Sequence, residues 1–334
     1  MPKVDLLSLE TENVIGSLKG LVEVWYGSNN VGKSYNASKM PKPLLIATEA
    51  GGRGINCHKI AITSWGDFMD AIKQLTDPKK LDAMQEKFET IIIDTLENMV
   101  MYSDNAVSQQ FGVGTLGEIT GKQNGYVISR TQIAMAIGRL TSVGYHIIFI
   151  SHEEQIDVED EITGEERKFI IPKGSNNEKA SARFVRDMAD VVVYLKANPY
   201  DVENDREVLS TAIYKRTKAV FARSRFSDLP FLMPNFNAKQ HQEVLLEAIK
   251  KRAEREECGI TDYEVTKPQS KEEWFEQIKP LLVKIHGFNP DMATEIVETQ
   301  LGEGRKVSSA TDNDLIKLEN IYNQMLTYVV QFGL

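Results

Sequence analysis

Five short apolar runs punctuate the first two hundred positions of the chain: LVEVWY (21–26), PLLIAT (43–48), TIIID (90–94), HIIFIS (146–151) and DVVVYL (190–195). Most are continuous rather than alternating, the pattern of strands buried on both faces of a parallel sheet. Between them the apolar positions recur every three or four residues. Phe68, Ile72 and Leu75 share one face of GDFMDAIKQL, and Ile133, Ile137 and Leu140 share one face of TQIAMAIGRL. Strand–helix–strand alternation predicts an α/β fold, a mostly parallel sheet flanked by helices. STAIYKR and AVFARS, within 210–224, predict a pair of shorter strands at the sheet's edge.

The pattern changes after about residue 238. KQHQEVLLEAIKKRAEREECG predicts a helix ending at Gly259, and TDYEVTKPQSKEE predicts a linker. EEWFEQIKPLLVKI and DNDLIKLENIYNQMLTYVVQF are helical in spacing. The expected organisation is a core over 1–238, a helix and linker over 239–271 and a small C-terminal helical module over 272–334. No repeat period runs through the chain.

The first strand leads into GSNNVGKSY, residues 27–35, which fits the phosphate-binding pattern G-x-x-x-x-G-K-[ST] between a strand and a helix. Gly27 and Gly32 let the backbone curl so that the N–H groups of Ser28, Asn29, Asn30, Val31, Lys33, Ser34 and Tyr35 can face phosphates. Lys33 is then placed for the β- and γ-phosphates of ATP, and Ser34 for Mg2+. Magnesium needs a further oxygen ligand, and Asp94 ends a strand at the same sheet edge. The competing reading of Asp94 is a cap for the segment that follows. Glu49, at the end of LLIATE, is a candidate general base for water, or an exposed acid beside the AGGRG turn. Ser151 and His152, at the end of HIIFIS, are candidates to sense the γ-phosphate, although a histidine at a strand end is often only a surface residue.

Composition narrows the classes. The longest apolar runs are far too short to cross a bilayer, and the N-terminal stretch has no secretory pattern, so a cytoplasmic protein without membrane contact is expected. Cys57 and Cys258 lack ligand spacing, which argues against a disulfide frame or a zinc site. The net charge of −9 argues against indiscriminate polyanion binding, yet YKRTKAVFARSR (214–225) carries five basic residues and no acid.

Together these stretches resemble the RecA/RadA-type P-loop ATPases, in which the catalytic acid sits on the strand after the P-loop helix. MPKPLLIATEAGG is most similar to the phage RecA-like ATPases of the single-strand annealing group (Sak-four-like): a short P-loop helix, then "PKPL", a strand and an acidic ending. SHEEQ, RFVRDMADVVVYL and ARSRF extend the resemblance, which covers roughly residues 18–235. It implies a RecA-like core that hydrolyses Mg-ATP as a ring or filament of identical subunits. It also implies that Arg225, with Arg223 in the place of a lysine, reaches a neighbour's nucleotide; the alternative is a solvated basic edge strand. DNA, in such proteins, is held by loops after the third and fourth strands. Here that means 108–130, with Lys122, Tyr126 and Arg130, and 153–180, with Arg167, Lys168, Lys173 and Lys179 beyond the acidic run EEQIDVEDEITGEE.

Three functions are consistent with these features. The first is ATP-dependent binding of single-stranded DNA for annealing or strand pairing. The second is an ATP-controlled switch whose helical tail recruits a single-strand-binding or other protein. The third is a ring motor on nucleic acid.

Overall fold

The computed structural model describes residues 11, 13–49, 54–119, 124–159, 164–199, 210–266, 269–311 and 314–333. The chain divides into two compact units: 1–75 with 82–266, and 76–81 with 267–334.

The first unit is built on a mostly parallel sheet. A short strand β1 (Val14–Ile15) precedes the P-loop strand β2 (Val22–Gly27), helix α1 (Lys33–Ala37) and strand β3 (Pro43–Ala47). Then come β4 (His58–Ala61), α2 (Trp65–Leu75), α3 (Leu81–Lys87), β5 (Thr90–Asp94), α4 (Leu96–Gln110) and α5 (Gly125–Ser142). Strand β6 (His146–Glu159) turns back as β7 (Glu166–Pro172) and is followed by α6 (Ser181–Met188) and β8 (Val191–Lys196). The unit closes with β9 (Thr211–Ile213), β10 (Arg223–Ser224), β11 (Leu232–Met233), α7 (Ala238–Arg255) and β12 (Ile260–Thr261), which pairs with β1.

The strand order is β11-β9-β8-β2-β6-β5-β3-β4. All six residues of β2 are buried, as are residues 146–151 of β6 and the first five of β8. The continuous apolar runs thus occupy the middle of the sheet, where both faces are covered. Helix α1 is one and a half turns long because Pro41 and Pro43 follow it, and the residue before a proline avoids helical geometry.

Two expectations are corrected. First, β6 does not stop at Ser151. Beyond His152, half-buried Ile156 and Val158 alternate with exposed Gln155, Asp157 and Glu159, and the stretch pairs antiparallel with β7 from Glu153↔Pro172 to Glu159↔Glu166. The acidic segment expected as a loop is therefore one arm of a hairpin, with Lys168 on Asp157 across it at 2.5 Å. Second, about half of the described part of 108–130 is α-helical: α4 runs to Gln110 and α5 begins at Gly125, so Tyr126 and Arg130 are helix residues. The two short strands expected within 210–224 form at the sheet's edge, where β9 and β10 both pair with β8.

Helix α7 packs inside the first unit. Leu245, Ala248 and Ile249 join the cluster formed by Trp25, Val193 and Tyr214. His241 is fully buried beside Glu23 of β2. The Glu23 carboxylate accepts from the Trp25 indole (2.9 Å) and pairs with the rings of His146 and His241 (2.8 Å each). Burial would push this carboxyl up, but the His241 charge and the two imidazole hydrogen bonds outweigh it and hold it well below the usual carboxylate range. Tyr214, at 2.8 Å from His241 Nδ1, completes the chain.

In the second unit α8 (Lys271–Phe288), α9 (Pro290–Leu301) and α10 (Leu315–Phe332) bury Ile278, Ile285, Ile296, Leu318, Ile321 and Met325 together. Ser270 and Glu273 form a reciprocal capping box at the start of α8.

Removing His241 takes one of two imidazoles from the buried Glu23 carboxylate and leaves the buried Tyr214 hydroxyl without its imidazole partner, so His241→Ala is expected to cost about 3–5 kcal/mol in urea unfolding of the whole chain. A loss under about 1 kcal/mol would mean that α7 is peripheral to the unit.

Candidate nucleotide site

The carboxyl ends of β2, β6, β5 and β3 meet at one edge of the sheet. A Cβ on Gly27 would lie 2.2 Å from the Leu195 carbonyl, and Gly32 holds φ 78° where α1 begins, so both positions require glycine. Lys33 is buried, and its ammonium donates to the carbonyls of Gly27 (2.8 Å) and Ser28 (2.7 Å). Burial lowers its pKa; the carboxylates of Asp94, Glu97, Glu153 and Glu49 oppose that shift. Asn29, Asn30 and Tyr35 are exposed, with Lys39 over the Tyr35 ring at 5.1 Å, whereas the Val31 side chain is buried in the core. This is a cradle of backbone donors around one desolvated cation, suited to a chain of phosphates.

On one side of it, Ser34 Oγ donates to Asp94 Oδ2 at 2.6 Å, although β5 lies two strands from β2. Burial pushes the Asp94 carboxyl up, against the Ser34 hydrogen bond. A hydroxyl beside one half-buried carboxylate is an oxygen donor set that fits Mg2+, which usually keeps several waters. Glu49 follows Thr48, whose hydroxyl accepts from Thr95 N–H (2.8 Å) and whose own N–H donates to the Asp94 carbonyl (2.7 Å). Tyr102 donates to the Thr48 carbonyl at 2.8 Å. The end of β3 is therefore fixed to the end of β5, and Glu49 projects from it, exposed, 3.5 Å from the Asn98 amide.

On the other side, Gly27 pairs directly with His152. His152 Nδ1 lies 2.5 Å from Glu97 Oε1, which also accepts from the His152 N–H at 3.2 Å. Ser151 is fully buried and its hydroxyl turns to the His152 carbonyl at 3.0 Å, so of the two strand-end candidates only His152 is partly exposed. Ser28, Asn29, His152, Glu153 and Lys173 line a cavity of about 760 Å3. No motif or spacing singles out Glu97, and Lys173, expected as a DNA contact, stands beside the P-loop.

The remaining candidates lie elsewhere. Arg225 pairs with Asp190 at 3.1 Å, and Arg223 donates to the Asp187 carbonyl. Arg223 of β10 pairs with Val192 and the Arg225 N–H donates to the Asp190 carbonyl, while Gly27 pairs with Leu195. The backbones of the two arginines are therefore about 10–16 Å back along β8 from their own cradle. Arg130 donates to the carbonyls of Glu178 and Lys179, Lys168 is paired within the hairpin, and Lys122 lies outside the described residues. Of the described DNA candidates, Arg167 is the one that joins other arginines, on a separate cavity.

A P-loop family described as "AAA domain" matches residues 19–226, more than half of the chain. The chain is also similar to the "SPbeta prophage-derived uncharacterized protein YorG" of Bacillus subtilis (strain 168), 29% identical over 317 residues, which is 92% of this chain and 93% of that protein. Among the described residues, no helix is long and apolar enough to cross a membrane.

Because burial disfavours the charged Asp94 in the folded state, Asp94→Asn is expected to raise the melting temperature measured without metal, by about 1–3 °C near neutral pH. The gain should shrink as pH falls through the raised pKa of the folded carboxyl and be gone below the ordinary aspartate range, where folded and unfolded chains are both protonated. The same variant should lose the added stability that Mg-ATP gives the wild type. A variant less stable than wild type without metal would contradict this account of Asp94.

Proposed function

The chain belongs to the P-loop family described as AAA domain, a family of nucleoside triphosphatases, and from that premise we propose that it is a phage protein that hydrolyses Mg-ATP and uses the bound nucleotide to control its grip on single-stranded DNA. In this reading it is the RecA-like recombination protein of the annealing group, acting as an oligomer. The observation that carries the proposal is the double role of His152. It stands next to Gly27 at the phosphate cradle, and its carbonyl accepts from Lys173 N–H (2.9 Å) where β6 and β7 leave the sheet as a hairpin. A group that touches the γ-phosphate is thus also the root of an arm that extends from the core. The prophage source of the similar protein supports a phage origin.

In the reaction, Lys33 leaves the Gly27 and Ser28 carbonyls to neutralise the phosphates. Ser34 and Asp94 would hold Mg2+, which would supply charge neutralisation on the phosphate oxygens. Glu49, on the fixed end of β3, orients and deprotonates the attacking water. Glu97 holds the His152 ring through Nδ1, leaving Nε2 to read the γ-phosphate. Arg225 and Arg223 are too far along β8 to serve their own nucleotide, which supports a role at a neighbouring copy's site. For that, Arg225 must exchange Asp190 for the phosphate.

The second reading, an ATP-controlled protein switch, is favoured by Phe288, Val330 and Phe332, which are exposed on the helices of the second unit.

The test is anisotropy of a labelled single-stranded oligonucleotide with no nucleotide, with Mg-ADP and with Mg and a slowly hydrolysed ATP analogue. Tighter binding with the analogue alone, lost in Lys33→Ala, is the expected result. Glu49→Gln should keep nucleotide affinity and lose at least about a hundredfold in turnover. Binding to DNA in no state would leave the triphosphatase and point to the protein switch; normal turnover by Glu49→Gln would remove Glu49 as the base.

A further inference from the structure

Outside the nucleotide cradle, a cavity of about 610 Å3 opens between β6, β7, α6 and the segment after β9. Arg167 of β7, Arg183 and Arg186 of α6, and Arg216 line it, and Glu159 is the acidic residue in its wall among the described residues. Two of the four guanidiniums are balanced locally. Asp187 lies 2.7 Å from Arg186 and 3.5 Å from Arg183, and Glu178 is 3.5 Å from Arg183. Arg167 and Arg216 have no carboxylate partner among the described residues, and the buried Nε of Arg167 has no hydrogen-bond acceptor.

The charges are also held in place. Arg186 is 8% exposed, donates to the Ser175 carbonyl (3.2 Å) and hydroxyl (3.3 Å), and lies 4.4 Å over the Phe221 ring. Arg216 lies 5.1 Å over Phe169. Rings beneath guanidinium planes fix the direction of their N–H groups, leaving oriented donors and surplus positive charge around one cavity. Like charges gathered in this way repel one another until an anion joins them. A tetrahedral phosphate oxyanion, with several acceptors around one centre, suits converging guanidinium forks.

We infer that this cavity is a second anion site that takes phosphate groups, and that the backbone of a single-stranded polynucleotide supplies them. The anion site follows from the cavity alone, whereas the strand as its occupant rests on the function proposed above. The site is wired to the nucleotide by the hairpin itself. Arg167 pairs in register with Val158, six residues along β6 from His152.

Inorganic tripolyphosphate is titrated calorimetrically into the full chain carrying Lys33→Ala, so that the P-loop no longer competes for phosphate. A labelled thymidine oligonucleotide is followed by anisotropy across a salt series on the full chain with Lys33 intact, held with Mg and the slowly hydrolysed ATP analogue. Adding Arg167→Ala with Arg216→Ala should weaken both ligands at least about tenfold. It should also flatten the salt dependence of oligonucleotide binding by about 1.4, two contacts at ~0.7 each. Arg216→Lys, which keeps the charge and loses the fork, should fall between, and melting temperatures confirm that each variant is folded.

If tripolyphosphate binding falls in the double-arginine variant and the oligonucleotide binds to none of the proteins, the anion site stands with a free phosphate as occupant. The strand assignment then fails together with the function it rests on. A folded double-arginine variant that binds both ligands with parental affinity and slope overturns the site. So does a parent chain that binds neither.

Discussion

The parallel pairing of β2 with β6 is the constraint on which the nucleotide site depends. Because Gly27 lies opposite His152, the loop that curls around phosphates and the side chain that can report on them leave the sheet at the same level. A slip of one residue would turn every side chain of β2 to the other face, and two things prevent it. The strand is buried along its whole length, so its register is set by packing on both sides. Beneath it Glu23 is held by His146 of β6 and His241 of α7, at 2.8 Å each, which pins three elements to one carboxylate. That network explains why α7 belongs with the ATPase unit: without it a charge on the P-loop strand would be buried unpaired.

Above the sheet the electrostatics change sign over short distances. Four carboxylates surround Lys33, and burial works against the charged forms of both Lys33 and Asp94. Phosphates and a divalent cation would satisfy both sides of that arrangement at once, because the lysine needs anions and the acids need a metal. The hairpin carries a second contrast. Its outer acids make it unattractive to nucleic acid, while arginines gather on the cavity at its base. A net charge of −9 and a local anion site are therefore compatible in one chain.

Much of this was legible in the sequence. The central strands were marked by uninterrupted apolar runs, and the cradle by glycine spacing between a strand and a helix. The short α1 followed from Pro41 and Pro43. Other parts were harder to read. The hairpin was hidden because its alternation rests on only Ile156 and Val158 within a stretch of acids, and charge hid periodicity. Helix α9 was announced by Asn289 capping at Pro290, a local start signal that the sequence reading passed over. Glu97 and the arginine cavity could not be found by spacing at all, since their partners are 55 residues away for Glu97 and spread over β7, α6 and the segment after β9 for the arginines. The place of α7 turned on a histidine–glutamate contact across 218 residues, which no periodicity encodes.

The central claim is that the state of the nucleotide is passed from the cradle through His152 to the hairpin. Hydrogen exchange of the full chain, compared with Mg-ADP and with Mg and a slowly hydrolysed ATP analogue, measures it directly. The account predicts that both nucleotides protect the backbone of 27–35, while only the analogue changes exchange across 152–173. Equal exchange across 152–173 in the two states, with the P-loop protected in both, would contradict it.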